Sequence, residues 1–85
     1  MMQREDVLKH LKEEIIQLVY RKSDGSVREA LATTNPNVIY SKGAVPYGKG
    51  KAKATEDVIT YFDMAKKAWR SFRFDRLISV TLPDD

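Results

Sequence analysis

Apolar residues near the N-terminus recur at the spacing of a helix. Val7 and Leu8 precede Leu11 by four and three positions, so the three share one helix face while the charged residues between them face solvent. This spacing predicts a short amphipathic helix within residues 1–13.

Two strand-favouring segments joined by a turn signal follow the helix. Residues 14–22 favour a strand, and Val27 to Thr33 favour its return partner. Asp24-Gly25 between them is typical of a two-residue type I′ hairpin turn. The apolar residues of the first strand that share one face are Ile16, Leu18 and Tyr20.

The middle of the chain contains a helix start and then a basic loop. Asn35-Pro36 combines an N-cap residue with proline at the first helical position, so we expect one helical turn over residues 36–40. Residues 41–55 follow, rich in Gly, Lys and Ala and without an acid, which predicts a mobile surface loop. Such a loop either tracks phosphates or is a solvated linker. Its lysines are Lys42, Lys49, Lys51 and Lys53.

The C-terminal third predicts a second hairpin that continues into a further strand. Val58 to Phe62 is a short β-favouring run, and Ala65-Lys66-Lys67 is polar enough to turn it back. Arg76 interrupts the apolar pattern of the return, so we expect a bend or bulge near Asp75 and Arg76.

Strict alternation along the return strand assigns its side chains to two faces. We expect Phe72 and Phe74 on the apolar face as core residues. The later residues of that face are Ile78, Val80 and Leu82, and those of the opposite face are Trp69, Ser71, Arg73 and Asp75.

The segment from Tyr61 to Val80 resembles the closing part of WYL domains, which are small Sm-like, SH3-type β-barrels found in bacterial transcription regulators. It combines an aromatic-x-Asp pattern, a short polar turn, and Trp-Arg-x-Phe-Arg-x-Asp-Arg before a hydrophobic residue. Thr33-Thr-Asn-Pro-Asn-Val-Ile39 extends the likeness, so the whole chain resembles stand-alone short relatives from phage and bacterial genomes. The resemblance implies a mainly β fold, a small five-stranded SH3/Sm-like barrel whose open end the N-terminal helix covers.

The resemblance also implies a binding role, because arginines and aromatics of this segment are implicated in binding charged ligands or nucleic acid in WYL domains. Carried over, Arg70 and Arg73 face the ligand, Trp69 stacks beside them, and Asp75 and Arg76 form a structural pair. The chain departs from full WYL regulators, since it has no helix-turn-helix, no dimerising extension and no Trp-Tyr-Leu signature.

The charged residues of this segment also permit an interpretation without a ligand, in which they only form ion pairs on the surface. Arg73 and Asp75, two apart on one strand face, would form a charge ladder with Glu29 or Asp63.

Length and composition limit the classes of protein. The 85 residues suit one domain, divided into a helix (1–13), a barrel (14–82) and a tail (83–85). The absence of cysteine excludes disulfides and thiolate metal sites. No apolar run approaches the roughly 20 residues that span a bilayer, and no signal peptide is recognisable, so we expect a cytoplasmic protein with no membrane partner.

Catalytic motifs are weak. Residues 43–50 come within one position of a P-loop, but Gly50 stands where Ser or Thr would hold magnesium. His10 is the only histidine, and no nucleophile is paired with a base. We therefore expect no enzyme and no cofactor or metal.

Two functional hypotheses remain. The first is a small accessory or regulatory protein that binds single-stranded DNA or RNA, with the loop lysines on phosphates and Arg70, Arg73 and Trp69 or Tyr47 on bases. The second is a phage-type interaction module that modulates a host protein through a barrel edge or the loop. Either hypothesis permits a homo-oligomer.

Overall fold

The chain forms a five-stranded antiparallel sheet with two short helices, and the computed structural model describes residues 2–43 and 57–83. The helices and strands predicted from the sequence are confirmed within that part of the chain. In chain order the elements are α1 (Arg4–Glu13), β1 (Ile16–Arg21), β2 (Val27–Thr33), α2 (Pro36–Ser41), β3 (Val58–Asp63), β4 (Ala68–Arg73), a 3-10 turn (Phe74–Arg76) and β5 (Leu77–Thr81).

The strand order is β4-β3-β2-β1-β5, which makes β4 and β5 the two edges of the sheet. The 3-10 turn of Phe74–Arg76 joins these edge strands directly, at the bend that the sequence predicted. In the described part of the chain the strands do not close into a complete barrel. The architecture is consistent with an Sm-like or SH3 fold in which the two edge strands, β4 and β5, are not hydrogen-bonded to each other.

Three aromatic rings form the centre of the core and show how strongly the sheet curls. Tyr20 of β1 stacks on Phe72 of β4 at a centroid distance of 4.3 Å, and Tyr61 of β3 meets both rings edge-on. The Tyr20 and Tyr61 hydroxyl groups share a 2.9 Å hydrogen bond. Because β1 and β4 are three positions apart in the sheet, their rings meet only if the sheet folds over the core.

Helix α1 is attached to the end of β2. Val7 and Leu11 on its inner face are fully buried in the core. The Leu11 carbonyl accepts hydrogen bonds from the Thr33 hydroxyl at 2.9 Å and from the Thr34 amide at 2.8 Å. Since both bonds satisfy a carbonyl near the helix C-terminus, they fix where the helix ends and how it meets the sheet.

The first hairpin turn differs from the predicted type I′ geometry. Gly25 has φ of +91°, but Asp24 keeps a negative φ, whereas a type I′ turn needs positive φ at both central residues. The Gly25 amide donates to the Lys22 carbonyl at 3.0 Å, and the Lys22 amide donates to the Ser26 carbonyl at 2.7 Å. The loop therefore has three residues, with glycine in the left-handed position that follows a type I turn.

The predicted apolar face of the return strand was wrong at Ile78 and Leu82. Leu77 is buried, whereas Ile78 is 46% exposed and Leu82 is 37% exposed. Val19 pairs with Ser79 but Tyr20 pairs with Leu77, so Ile78 has no partner in β1. This one-residue register shift lets both Leu77 and Val80 contact the core, and strict alternation fails. Phe74 lies in the 3-10 turn, half-buried against the same core.

Candidate anion-binding groove

A groove of about 580 Å³ lies where the turn end of the first hairpin approaches β4. The sheet curl described above forms it, because Tyr20 and Phe72 belong to its lining and bring their two strands together. Its lining residues in the described part of the chain are Tyr20, Arg21, Lys22, Ser23, Arg28, Val58, Trp69, Arg70, Ser71, Phe72, Arg73 and Arg76.

The lining of the groove carries one sign of charge. Half of the described lining residues are cationic, and no acidic residue is among them. The cations come from three places along the chain, so their proximity depends on the complete fold. Arg21, Lys22 and Arg28 belong to the first hairpin, Arg70 and Arg73 to β4, and Arg76 to the 3-10 turn. A cleft lined by one sign of charge concentrates counter-ions of the other sign.

Strand pairing explains the inward position of two of these arginines. Arg28 lies opposite Tyr20, and Arg70 lies opposite Tyr61. Residues directly opposite in an antiparallel pair point to the same face, so both guanidinium groups belong to the face that carries the buried aromatics. Both residues are part of the groove lining.

Arg70 is held by a buried carboxylate. Its Nε lies 3.2 Å from Oδ2 of Asp63, which is only 4% exposed. That Nε has no well-directed hydrogen bond to a described residue, so the contact is an ion pair. The other oxygen of Asp63 accepts from the Ala65 and Lys66 amides, each at 3.0 Å. Asp63 therefore fixes the turn between β3 and β4 and positions Arg70 at the same time.

Arg73 also faces a carboxylate, but at the surface. Its Nε donates to Oδ1 of Asp75 at 3.1 Å, and its Nη2 donates to Oδ2 at 2.9 Å. This hydrogen-bonded pair lowers the pKa of Asp75 and raises that of Arg73. Asp75 thus pairs with Arg73 and not with Arg76, which corrects the structural pair that the resemblance implied, since the 3-10 turn directs Arg76 into the groove lining.

The remaining arginines differ in their local contacts. Arg21 donates from Nη1 to the Gly25 carbonyl at 2.8 Å, which ties it to the hairpin loop. Arg28 and Arg76 make no ion pair with any residue in the described ranges 2–43 and 57–83. Arg21 and Lys22 likewise make no ion pair there, so among the groove cations only Arg70 and Arg73 pair with a carboxylate of the described chain.

Trp69 forms an aromatic part of the groove wall. Its ring meets that of Phe62 edge-on at a centroid distance of 5.8 Å, and the side chain is half-buried. Phe62 itself is fully buried beneath it. The indole is thus held in place by packing from the outer face of β3.

The groove lining includes some of the site residues that were predicted from the sequence, and it also includes residues that were not predicted. Arg70, Arg73 and Trp69 lie together in its lining, with Arg76. Lys42 is exposed at the C-terminal cap of α2 and is not among the lining residues. Tyr47, Lys49, Lys51 and Lys53 lie outside the described residues.

Sequence reasoning missed Arg21, Lys22 and Arg28. The available signal was the position of cations on both strands of a predicted hairpin, close to its turn. What the pattern could not indicate is that this end of the hairpin approaches β4, because that contact depends on the curl of the whole sheet.

The described residues contain neither a metal-binding cluster nor a membrane-spanning helix. No group of three or more His, Asp or Glu side chains there is arranged to hold a metal ion. No helix in the described ranges has the length and apolar character needed to cross a membrane.

Comparison with known proteins places the chain in a family. Residues 4–78 match the family described as WYL_2, Sm-like SH3 beta-barrel fold. The chain is also 32% identical over 66 residues to an uncharacterized 11.5 kDa protein from the Gp31-cd intergenic region of Enterobacteria phage T4. That alignment covers 78% of this chain and 65% of the phage protein, and no solved structure matches significantly. The chain, with its open five-stranded sheet and basic groove, therefore belongs to the WYL_2 family of Sm-like SH3 β-barrel proteins.

Proposed function

We propose that this chain is a non-enzymatic accessory or regulatory protein that binds single-stranded nucleic acid through its basic groove. The observation that carries the proposal is the convergence of five arginines and one lysine on a single groove without an acidic lining residue in the described chain. Guanidinium groups suit phosphate because their paired donors match its oxygens.

The size and lining of the groove favour a single strand over a duplex. A volume of about 580 Å³ is in the range of small-molecule sites, which holds a nucleotide or two but not a double helix. Trp69 offers an aromatic wall beside the cations, and a stacked base contributes about 1–3 kcal/mol to single-strand binding. Phosphate contacts and base stacking together would bind a single strand with little dependence on its nucleotide sequence.

The surroundings of the titratable groups support a binding protein over an enzyme. His10 lies on α1, with Nδ1 2.9 Å from Oε2 of Glu14, and is not part of the groove lining. The groove lining contains Ser23 and Ser71 as its hydroxyl nucleophile types, with no histidine or carboxylate beside them among the described lining residues. A general base for nucleophilic chemistry would have to come from such a neighbour.

Fluorescence anisotropy tests the proposal directly. Labelled single-stranded DNA, single-stranded RNA and duplex DNA are titrated with protein at roughly 50 and 200 mM salt, because phosphate contacts make affinity salt-dependent. The test variant is Arg28→Gln/Arg76→Gln, which removes two groove charges that make no ion pair with a described residue. Its matched control is Lys9→Gln/Lys12→Gln, which removes two exposed charges from α1.

We expect the groove variant to lose about tenfold or more in affinity for a single strand, as charge-assisted hydrogen bonds are worth about 1.5–3 kcal/mol. The salt dependence should also become shallower by about 0.7 for each lost phosphate contact. The control variant should bind nearly as well as wild type. Equal loss in both variants would mean that net charge, and not the groove, attracts the nucleic acid.

A second candidate function is the protein-interaction module, which the β5 edge favours. Residues 77–82 carry no charge, and Ile78 and Leu82 in this stretch are exposed at the edge of the sheet. Edge strands usually carry charges that block pairing with other chains. Sedimentation of wild type and Ile78→Lys across protein concentrations tests whether this edge can pair with another chain: self-association that the lysine abolishes would show that it can, and a strictly monomeric wild type would count against self-pairing.

A further inference from the structure

Two arginines of the groove face two carboxylates of very different exposure. Asp63 is 4% exposed beside Arg70, and Asp75 is 62% exposed beside Arg73. Arg70 and Arg73 are three residues apart in one edge strand. Because their carboxylate partners differ in exposure, we expect the two arginines to contact a ligand differently.

Asp75 occupies the donor fork of Arg73. Both carboxylate oxygens accept from the guanidinium, Oδ1 from Nε at 3.1 Å and Oδ2 from Nη2 at 2.9 Å. A phosphate uses the same paired donors of an arginine, because its oxygens have a similar separation and charge. Asp75 therefore takes the position at Arg73 that a ligand phosphate would use.

Exposure makes this contact weak. Both side chains are more than half exposed, and exposed ion pairs are screened by water and salt. Asp63, in contrast, is buried and accepts two backbone amide hydrogen bonds, so it cannot leave Arg70 without breaking the turn. One carboxylate is displaceable and the other is structural.

We propose that Asp75 is an internal competitor that occupies Arg73 in the free protein and is displaced by a phosphate of the bound strand. This inference rests on the proposed function, since it names how that groove is regulated. Asp75 is a positioning residue that lowers affinity, and Arg73 becomes a phosphate contact only after Asp75 leaves.

The test compares Asp75→Asn with Glu13→Gln, which removes one exposed carboxylate at the far end of α1. We expect Asp75→Asn to bind labelled single-stranded DNA about twofold to fivefold more tightly at low salt, the range set by the small worth of an exposed ion pair. Its salt dependence should steepen by up to about 0.7, the value for one added phosphate contact on a single strand. Glu13→Gln should change neither quantity.

A double-mutant cycle separates displacement from a general charge effect. In an Arg73→Gln background, Asp75→Asn should give no gain, because no guanidinium is left to release. A gain that persists in that background overturns the inference, as does unchanged or weaker binding by Asp75→Asn alone. Either result leaves the proposed function standing if wild type binds. No binding by wild type or by Asp75→Asn overturns both.

Discussion

Tyr20 and Phe72 stack with their ring planes only 11° apart, although two strands lie between β1 and β4 in the sheet. Their contact is the point at which the curled sheet meets itself. The same two residues belong to the lining of the basic groove, so the core contact and the candidate site share a wall. The stability of the core and the shape of the candidate site therefore depend on the same stack.

Replacing Phe72 should destabilise the protein strongly. Phe72 is 6% exposed, and truncation of a buried phenylalanine costs about 3–5 kcal/mol. Phe74→Ala is the comparison, because Phe74 is only half-buried in the 3-10 turn and should cost clearly less. Urea unfolding followed by the fluorescence of Trp69, the one tryptophan, measures both. Equal losses would show that the stack has no special role in the core.

Stability should fall in alkaline solution because of Tyr61. Burial first, and then its hydrogen bond with Tyr20, raise the pKa of Tyr61 above its ordinary value of 10.0. The unfolded state loses this proton near pH 10 while the folded state keeps it, so the free energy of unfolding decreases as pH rises above about 10. Tyr61→Phe has no proton to lose there. Thermal unfolding between pH 8 and 11 should show a shallower decline for the variant, and identical slopes would contradict the assignment.

The register shift in β5 predicts opposite sensitivities at two adjacent positions. Leu77→Ala should cost about 2–5 kcal/mol, the range for truncation of a buried leucine. Ile78→Ala should change stability by at most about 1 kcal/mol, since Ile78 is 46% exposed. Chemical denaturation of the pair measures the difference. A larger loss at Ile78 than at Leu77 would mean that the strand alternates regularly after all.

Asp63→Asn should weaken both folding and binding. The amide oxygen can still accept from the Ala65 and Lys66 amides, but an amide nitrogen would replace the oxygen that faces Nε of Arg70. Leaving a buried polar contact unsatisfied costs about 1–3 kcal/mol. We also expect weaker oligonucleotide binding in anisotropy titrations at temperatures where the variant is fully folded. Tighter binding by Asp63→Asn would show that it, like Asp75, competes with the ligand.

Lys67→Gly should stabilise the β3–β4 turn. Lys67 adopts φ of +53°, a left-handed conformation that penalises side chains with a Cβ. Glycine removes this penalty, and after its greater loss of chain entropy we expect a net gain of about 0.5–1 kcal/mol. Lys66→Gly removes the same charge at a position with negative φ and should not stabilise. Differential scanning calorimetry of the two variants distinguishes backbone strain from charge.

Local patterns predicted the elements well because each depends on neighbouring residues. Asn35 caps α2 by accepting from the Asn37 amide at 2.9 Å, as the Asn-Pro pair indicated. Val58 to Asp63 pairs with Ala68 to Arg73 across the polar turn that the composition favoured. In both places the sequence signal and the stabilising contact lie within a few residues of each other.

The errors concern contacts between distant parts of the chain. The unpaired Ile78 results from a shift against β1, some sixty residues earlier, which no alternation within β5 reveals. Arg28 lines the groove only because its hairpin approaches β4. A regular strand would not place Arg70, Arg73 and Arg76 on one face, but the bend that was predicted near Arg76 allows all three to line the groove. The carboxylate partners of Arg70 and Arg73, in contrast, could not be predicted from the sequence, because they depend on side-chain geometry.

The junction between β2 and β3 has only two paired positions, Ala32 with Asp63 and Thr33 with Phe62, whereas each hairpin has six. Each hairpin is a local unit that can form early, since its contacts are close in sequence. The groove depends on the docking of the two units, because its lining comes from both of them. A ligand that contacts both walls would act as a clamp, and its binding energy would oppose the separation of the two halves.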